Sequence, residues 1–117
     1  MKLTEVMEIL NAHLLSGEDY LEREVDFAFS SDLMSDVLAY VSKKTLLLTG
    51  LTNTQVIRTA EMSDVSAIVF VRNKKPDNVI LNLAIENNLV IMCTEHTLYT
   101  ASGKLYATGL RGIKIKI

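Results

Sequence analysis

Apolar runs of strand length alternate with helical patterns along most of the chain. The runs contain almost no polar residues and occupy residues 27–29, 45–49, 67–71 and 89–93. Between them, apolar residues recur at i, i+4, i+5 and i+8, as in Leu33, Val37, Leu38 and Val41. Residues 56–60 and 79–84 repeat this spacing. It places the apolar side chains on one face of a helix, so helices are predicted between the strands.

The predicted strands lack the alternation of polar and apolar residues that is typical of a half-exposed sheet. Continuous apolar strands indicate a sheet that helices cover on both faces. Strand and helix in alternation further favour right-handed crossovers between parallel strands. We therefore predict an α/β fold, a single-domain, open, mainly parallel sheet of about five strands with helices on both faces.

Shorter elements are predicted towards the two ends of the chain. A first helix covers residues 4–11, a short strand lies near residues 13–15, and a last helix follows Thr94. Gly103 weakens that last helix by about 1 kcal/mol relative to alanine. Polar residues that can cap helix N-termini precede the later helices: Ser31 or Asp32, Asn53 or Thr52, Asp77, and Thr94.

The C-terminal tail has a different pattern, because isoleucine and lysine alternate over residues 113–117. We predict one domain over residues 1–117, in which residues 111–117 form an extra C-terminal strand. One interpretation is a short edge strand whose lysines discourage aggregation. The other is a strand that joins the sheet of a partner, for which a dimer mate is the first choice.

Composition narrows the class of protein. Apolar residues make up 49% of the 117 residues, which suffices for one core. The net charge of −2 argues against nucleic-acid and anionic-membrane partners. The single cysteine, Cys93, fits a reducing compartment, and the first residues lack the apolar core of a signal peptide. No apolar run approaches the roughly 20 residues of a spanning helix, so we expect a cytoplasmic protein.

Candidate binding residues follow from the predicted sheet. Ligands of open parallel sheets bind outside the carboxyl ends of the strands, where helix N-termini favour anions. A nucleotide or another phosphorylated metabolite suits such an edge. Helix capping alone is the competing explanation for each residue there. The candidate ligand-binding residues are Ser30, Ser31, Thr49, Gly50, Thr52, Asn53, Thr54, Arg72, Asn73, Lys74, Thr94 and His96.

No catalytic apparatus is recognisable in the sequence. It contains no glycine-rich phosphate loop, no dinucleotide-binding fingerprint and no Gly-x-Ser-x-Gly elbow. His13 and His96 are too few for a metal site, so we predict neither metal nor cofactor. Cys93 ends an apolar strand, which predicts a buried structural thiol. Because no nucleophile, base and orienting group assemble, we predict that the protein is not an enzyme.

From about residue 7 to residue 110, the order and spacing of these segments resemble the DRTGG domain family. That family occurs as a stand-alone protein, in the middle of some phosphotransacetylases and beside CBS domains in some pyrophosphatases, and it is similar to the N-terminal domain of HPr kinase/phosphorylase. The resemblance implies a non-catalytic accessory domain that is often dimeric. The matching stretches are residues 21–25, 31–38, 46–49 and 56–57, then Pro76, Thr94, Leu105 and Tyr106.

The chain departs from the motif that gives this family its name. The Asp-Arg-Thr part falls at Thr52, Asn53 and Thr54, so only Thr54 is kept. The Gly-Gly pair falls at Arg72 and Asn73. The resemblance therefore assigns no ligand contacts to this chain. The predicted function is a regulatory or ligand-sensing module that acts on a partner protein as a homodimer, and the alternative is a stand-alone binder of a phosphorylated small molecule.

Overall fold

The computed structural model describes residues 1–115. Within these residues the chain forms α-helices on both faces of one six-stranded sheet, together with a short 3-10 helix at Glu18–Tyr20. The helices and strands, in chain order, are α1 (Leu3–Ile9), β1 (His13–Ser16), β2 (Phe27–Ser30), α2 (Met34–Tyr40), β3 (Thr45–Thr49), α3 (Thr54–Met62), β4 (Ala67–Phe70), α4 (Asn78–Glu86), β5 (Val90–Cys93), α5 (Leu98–Ala107) and β6 (Arg111–Gly112).

The sheet has the strand order β1-β5-β4-β3-β2-β6. Neighbouring strands from β5 to β6 are all parallel, and β1 runs antiparallel to β5 at one edge. The predicted α/β class and mainly parallel sheet are confirmed. The sixth strand, β6, is only two residues long, pairs with Phe27 and Ala28 of β2 and falls at the start of the extra strand predicted over residues 111–117.

The continuous apolar strands are buried on both faces, as their sequences predict. Every residue of β3, β4 and β5 is buried. Within β3, Leu46 and Leu48 face a core under α1 and α5, and Leu47 faces a second core under α2, α3 and α4. Complete burial of each such side chain stabilises the fold by about 1.5–3 kcal/mol. The two cores therefore hold the sheet between two helical layers.

Two of the predicted helix caps are confirmed. The Asn53 side chain accepts a hydrogen bond of 3.1 Å from the backbone N–H of Val56 at the start of α3. The Asp77 side chain accepts one of 3.0 Å from the N–H of Ile80 at the start of α4. Each cap satisfies a backbone donor that has no partner within its helix.

The other two predicted caps are wrong. Leu33 occupies the N-cap position of α2, while Asp32 makes its hydrogen bonds to the loop after β3. Thr97 caps α5, because the hydroxyl of Thr94 points into the interior and donates to the carbonyl of Leu10. In both cases a tertiary partner competes successfully with the local helix for the side-chain oxygen.

The extra strand over residues 111–117 stays a prediction in its full length. Arg111–Gly112 pair with β2, and the following residues 113–115 are described but are not assigned to a strand. Lys116 and Ile117 lie outside the described residues.

Candidate functional site

The loops that follow β2, β3, β4 and β5 lie along one edge of the sheet. Parallel register places Ser30 beside Leu48, Thr49 beside Phe70, and Phe70 beside Cys93. The carboxyl ends of these strands therefore stand next to one another, and the candidate binding residues occupy this carboxyl edge or the helix starts beside it.

Two candidate threonines are buried and bind other parts of the protein. The Thr49 hydroxyl donates to the Asp32 carboxylate at 2.9 Å and accepts from the N–H of Leu51 at 3.2 Å. The Thr94 hydroxyl donates to the carbonyl of Leu10 at 2.9 Å. Both side chains are almost without exposed surface. Their hydroxyls link the carboxyl edge to neighbouring segments.

Ser30, Ser31 and Asn53 also have protein partners. The hydroxyl oxygens of Ser30 and Ser102 are 2.6 Å apart, which ties the end of β2 to α5. The Ser31 hydroxyl accepts a hydrogen bond of 3.0 Å from the N–H of Leu33. Asn53 caps α3 as described above. Only Asn53 therefore acts as a helix cap, while the Ser30 and Ser31 hydroxyls fix the end of β2 and the loop after it.

Arg72 and Asn73 join the loops after β4 and β5. Their φ angles are 57° and 55°, in the left-handed region that glycine adopts most easily. In this conformation the N–H of Arg72 donates to the carbonyl of His96 and the N–H of Asn73 donates to that of Thr94, both at 2.8 Å. Left-handed backbone here is consistent with the glycine pair that the family resemblance places at these two positions.

The loop after β3 contributes Gly50, whose lack of a side chain leaves room for Arg72. A Cβ atom at Gly50 would collide with Nη2 of Arg72. The N–H of Gly50 also donates a hydrogen bond of 2.8 Å to the Asp32 carboxylate. Asp32 thereby organises the centre of this edge, and sequence reasoning missed it as a site residue because it considered Asp32 only as a helix cap.

The remaining candidates keep accessible polar groups. Lys74 is exposed, and Thr52 and His96 are half-buried, as is Thr54. Thr54 lines a groove of about 380 Å³ between α3 and α4, and Ser30 lines one of about 530 Å³ between α5 and the β2–β6 edge. Arg72 and Lys74 therefore supply positive charge to the carboxyl edge, where Thr52 adds a hydroxyl and His96 an imidazole. Ligand binding by these residues stays a prediction.

Cys93 lies under this edge with its thiol among polar groups. Its sulfur contacts Oδ1 of Asn73 at 3.5 Å and the carbonyl of Lys74 at 3.4 Å. Burial raises the pKa of the thiol, the charge of Lys75 lowers it, and Glu95 raises it again. A thiol whose pKa is raised stays protonated and weakly nucleophilic, as expected of a structural cysteine.

No group of three or more histidine, cysteine, aspartate or glutamate side chains in residues 1–115 could hold a metal ion. Among the same residues, none of the helices combines the length and apolar character needed to cross a membrane.

Comparison with known proteins identifies a matching family and a solved structure with a similar fold. A model of the DRTGG domain matches residues 5–108. The fold is similar to a crystal structure of the CBS and DRTGG domains of the regulatory region of Clostridium perfringens pyrophosphatase, complexed with the activator diadenosine tetraphosphate. The TM-score is 0.71 at 17% identity, over 89% of this chain and 45% of that one, so the chain spans under half of that structure. No curated protein matches the chain.

Proposed function

Because this chain belongs to the DRTGG domain family, we propose that it is a non-catalytic regulatory module that senses a small ligand and acts on a partner protein as a homodimer. The similar pyrophosphatase structure is that of a regulatory region with a bound activator, which supports a regulatory role. Most polar side chains of the carboxyl edge are engaged in contacts that stabilise the scaffold, which fits a non-catalytic role.

We place the homodimer interface on the outer surface of α3 and α4. Met62 and Val79 expose 75% and 68% of their surfaces. The groove between the two helices also contains the oppositely charged Arg58 and Glu86. In the described residues these two side chains form no ion pair with each other. Exposed apolar side chains with a rim of polar groups are typical of a protein interface.

The charge distribution favours the α3–α4 surface over the C-terminal tail as the homodimer interface. A two-fold interface brings each patch against its own copy, so a patch with charges of both signs can be self-complementary. Arg58 of one copy can then meet Glu86 of the other. Antiparallel self-pairing of residues 113–117 would instead place lysine opposite lysine, which is destabilising. The cationic tail therefore suits an acidic segment of the partner protein better than a second copy.

A charge-swap experiment tests the homodimer and its location. Arg58→Glu places like charges across the proposed interface, and we expect light scattering to show a shift from dimer to monomer. Adding Glu86→Arg restores opposite charges and should restore the dimer. Lys104→Glu on α5 makes the same charge change elsewhere and should leave the dimer intact, as should removal of residues 113–117. A monomeric wild type contradicts the proposal, and a dimer lost only with the tail contradicts the location.

A second candidate function is the binding of a phosphorylated metabolite at the carboxyl edge. The observation that favours it is the pair of exposed cations, Arg72 and Lys74, beside Thr52 and the start of α3. A thermal-shift panel of nucleotides and sugar phosphates tests this idea. A ligand at a hundred times its Kd stabilises its protein by about 2.7 kcal/mol, and Arg72→Asn should reduce the effect. Absence of any shift at millimolar concentrations would contradict this candidate.

A further inference from the structure

A second cationic groove lies at the opposite edge of the sheet, where β3, β4 and β5 begin. Its volume is about 410 Å³, within the range of roughly 300–1,000 Å³ that is typical of small-ligand sites. Arg23, Lys43 and Lys44 line it, and Asp64 is the one carboxylate in its wall. The hydroxyl of Ser66 and two side-chain amides complete the polar lining: Asn87 and Asn88. We call it the amino-edge groove.

The three cations of the amino-edge groove outnumber its one carboxylate. In the described part of the chain, Arg23, Lys43 and Lys44 form no ion pair with a carboxylate. The whole chain nevertheless has more acidic than basic residues and a net charge of −2. Like charges around one concave surface repel one another unless an anion is bound between them.

Arg23 is held in place before any ligand arrives. Its guanidinium carbon lies 4.2 Å from the centre of the Tyr20 ring, and Nη1 donates a hydrogen bond of 3.2 Å to the carbonyl of Ser66. Tyr20 is itself fixed, because its hydroxyl donates to Oδ1 of Asn88 at 3.1 Å. The guanidinium has five N–H donors, so several stay available in a pre-ordered position. A planar, fixed guanidinium is well suited to phosphate oxygens.

Lys44 adopts a backbone conformation that its residue type disfavours. Its φ is 61°, in the left-handed region, as are Asp64 and Asn88 at the same edge with φ of 55°. Asparagine and aspartate adopt this region readily, whereas lysine does so at a cost. Asparagine at position 44 would fit the backbone better, so the backbone conformation does not account for a lysine here. What lysine adds at this position is a positive charge in the groove.

From these features we infer that the amino-edge groove binds the diphosphate group of a small polyanion, such as inorganic pyrophosphate or a nucleoside diphosphate. Arg23 contacts the phosphate oxygens from its fixed position, Lys43 and Lys44 neutralise the charge, and Asn87 and Asn88 donate hydrogen bonds. The groove is separate from the carboxyl edge and from the α3–α4 surface, so this inference does not depend on the dimer or on a ligand at Arg72.

The test uses two substitutions that each remove one positive charge. Lys44→Asn removes a charge from the groove, and Lys104→Asn removes one from the exposed side of α5. Inorganic pyrophosphate and ADP are titrated separately into the full chain, with binding followed by amide chemical shifts and calorimetry. We expect both probes to bind and to shift the amides of Ser66, Asn87 and Asn88. Lys44→Asn should weaken binding about tenfold while Lys104→Asn leaves it unchanged.

The stability of the free Lys44→Asn protein separates binding from a structural role. Relief of the left-handed lysine predicts an unchanged or higher Tm together with weaker binding. If Lys44 only neutralises the carboxyl ends of neighbouring helices, the variant has a lower Tm and binds as wild type does, which overturns the inference. Absence of binding at millimolar concentration, or equal weakening by both substitutions, overturns it as well. Comparison of the two probes shows whether a base adds affinity to the diphosphate group.

Discussion

The hydroxyl of Thr94 donates a hydrogen bond of 2.9 Å to the backbone carbonyl of Leu10, and both residues are buried. This bond joins the end of β5 to the end of α1 across most of the chain. Thr94 is a candidate binding residue by sequence, and its side chain acts in the structure as an internal link. The same holds for Thr49, whose hydroxyl is bound to Asp32.

Thr94→Val should destabilise the protein while preserving its shape. Valine matches threonine in size and leaves the buried Leu10 carbonyl without its donor, which costs about 1–3 kcal/mol. Urea unfolding measures the loss. Thr52→Val, a half-buried threonine of the same edge, serves as the control, with an expected change within about 0.5 kcal/mol. Equal effects of the two substitutions would contradict the structural role of Thr94.

Asp32→Ala should loosen the loop after β3. The substitution removes the acceptor for both the Thr49 hydroxyl and the Gly50 N–H, and we expect a loss of about 1–2 kcal/mol because Asp32 is exposed and water replaces part of these bonds. Asp32→Asn keeps an acceptor oxygen and should lose less. Asp26→Ala, another exposed carboxylate, is the control. Hydrogen exchange at Gly50 should accelerate in Asp32→Ala alone, and unchanged exchange there would argue against this role of Asp32.

Two glycines with positive φ should differ in their response to alanine. Gly17 has φ 90°, and an added Cβ would lie 2.8 Å from Cα of Val90. Gly109 has φ 107°, and nothing lies within 4 Å of its added Cβ. Gly109→Ala should therefore cost only the conformational strain of about 1 kcal/mol. Gly17→Ala adds a backbone collision and should cost about 2–4 kcal/mol. Thermal unfolding compares them, and similar losses would contradict the close packing of Gly17 on β5.

Cys93 should make stability depend on pH in the alkaline range. Burial raises the pKa of its thiol above the ordinary value of 9.0, so the unfolded chain releases the proton before the folded protein does. Stability is therefore complete below about pH 9 and falls above it, by up to about 1.4 kcal/mol per pH unit, until the folded pKa is passed. Urea unfolding of wild type and Cys93→Ala between about pH 7 and pH 10.5 isolates this contribution. A difference between the two proteins that stays constant with pH would contradict it.

Much of the fold is predictable from the sequence, because the continuous apolar strands and the helical spacing are local patterns. The antiparallel pairing of β1 with β5 and the addition of β6 to β2 depend on contacts between distant residues, which local patterns do not encode. The family resemblance is confirmed over residues 5–108.

The candidate site was harder to predict than the fold. The sequence places the polar residues in the correct loops, but it does not show where each side chain points. Thr94 and Asp32 are of residue types that commonly cap helices, but their side chains bind distant backbone groups instead. Local patterns do not reveal the amino-edge groove, because Arg23 lies in an acidic stretch and Lys44 lies in a different loop, after α2. Only folding brings them together.

Sedimentation equilibrium of the wild-type chain tests the central claim, a regulatory homodimer, most directly. We predict a mass of twice the 13.0 kDa of one chain at micromolar concentration, with no dependence on ligand. Arg58→Glu should lower the mass to that of one chain, and the added Glu86→Arg should restore it. A wild-type mass of one chain at every concentration up to the millimolar range would contradict the account.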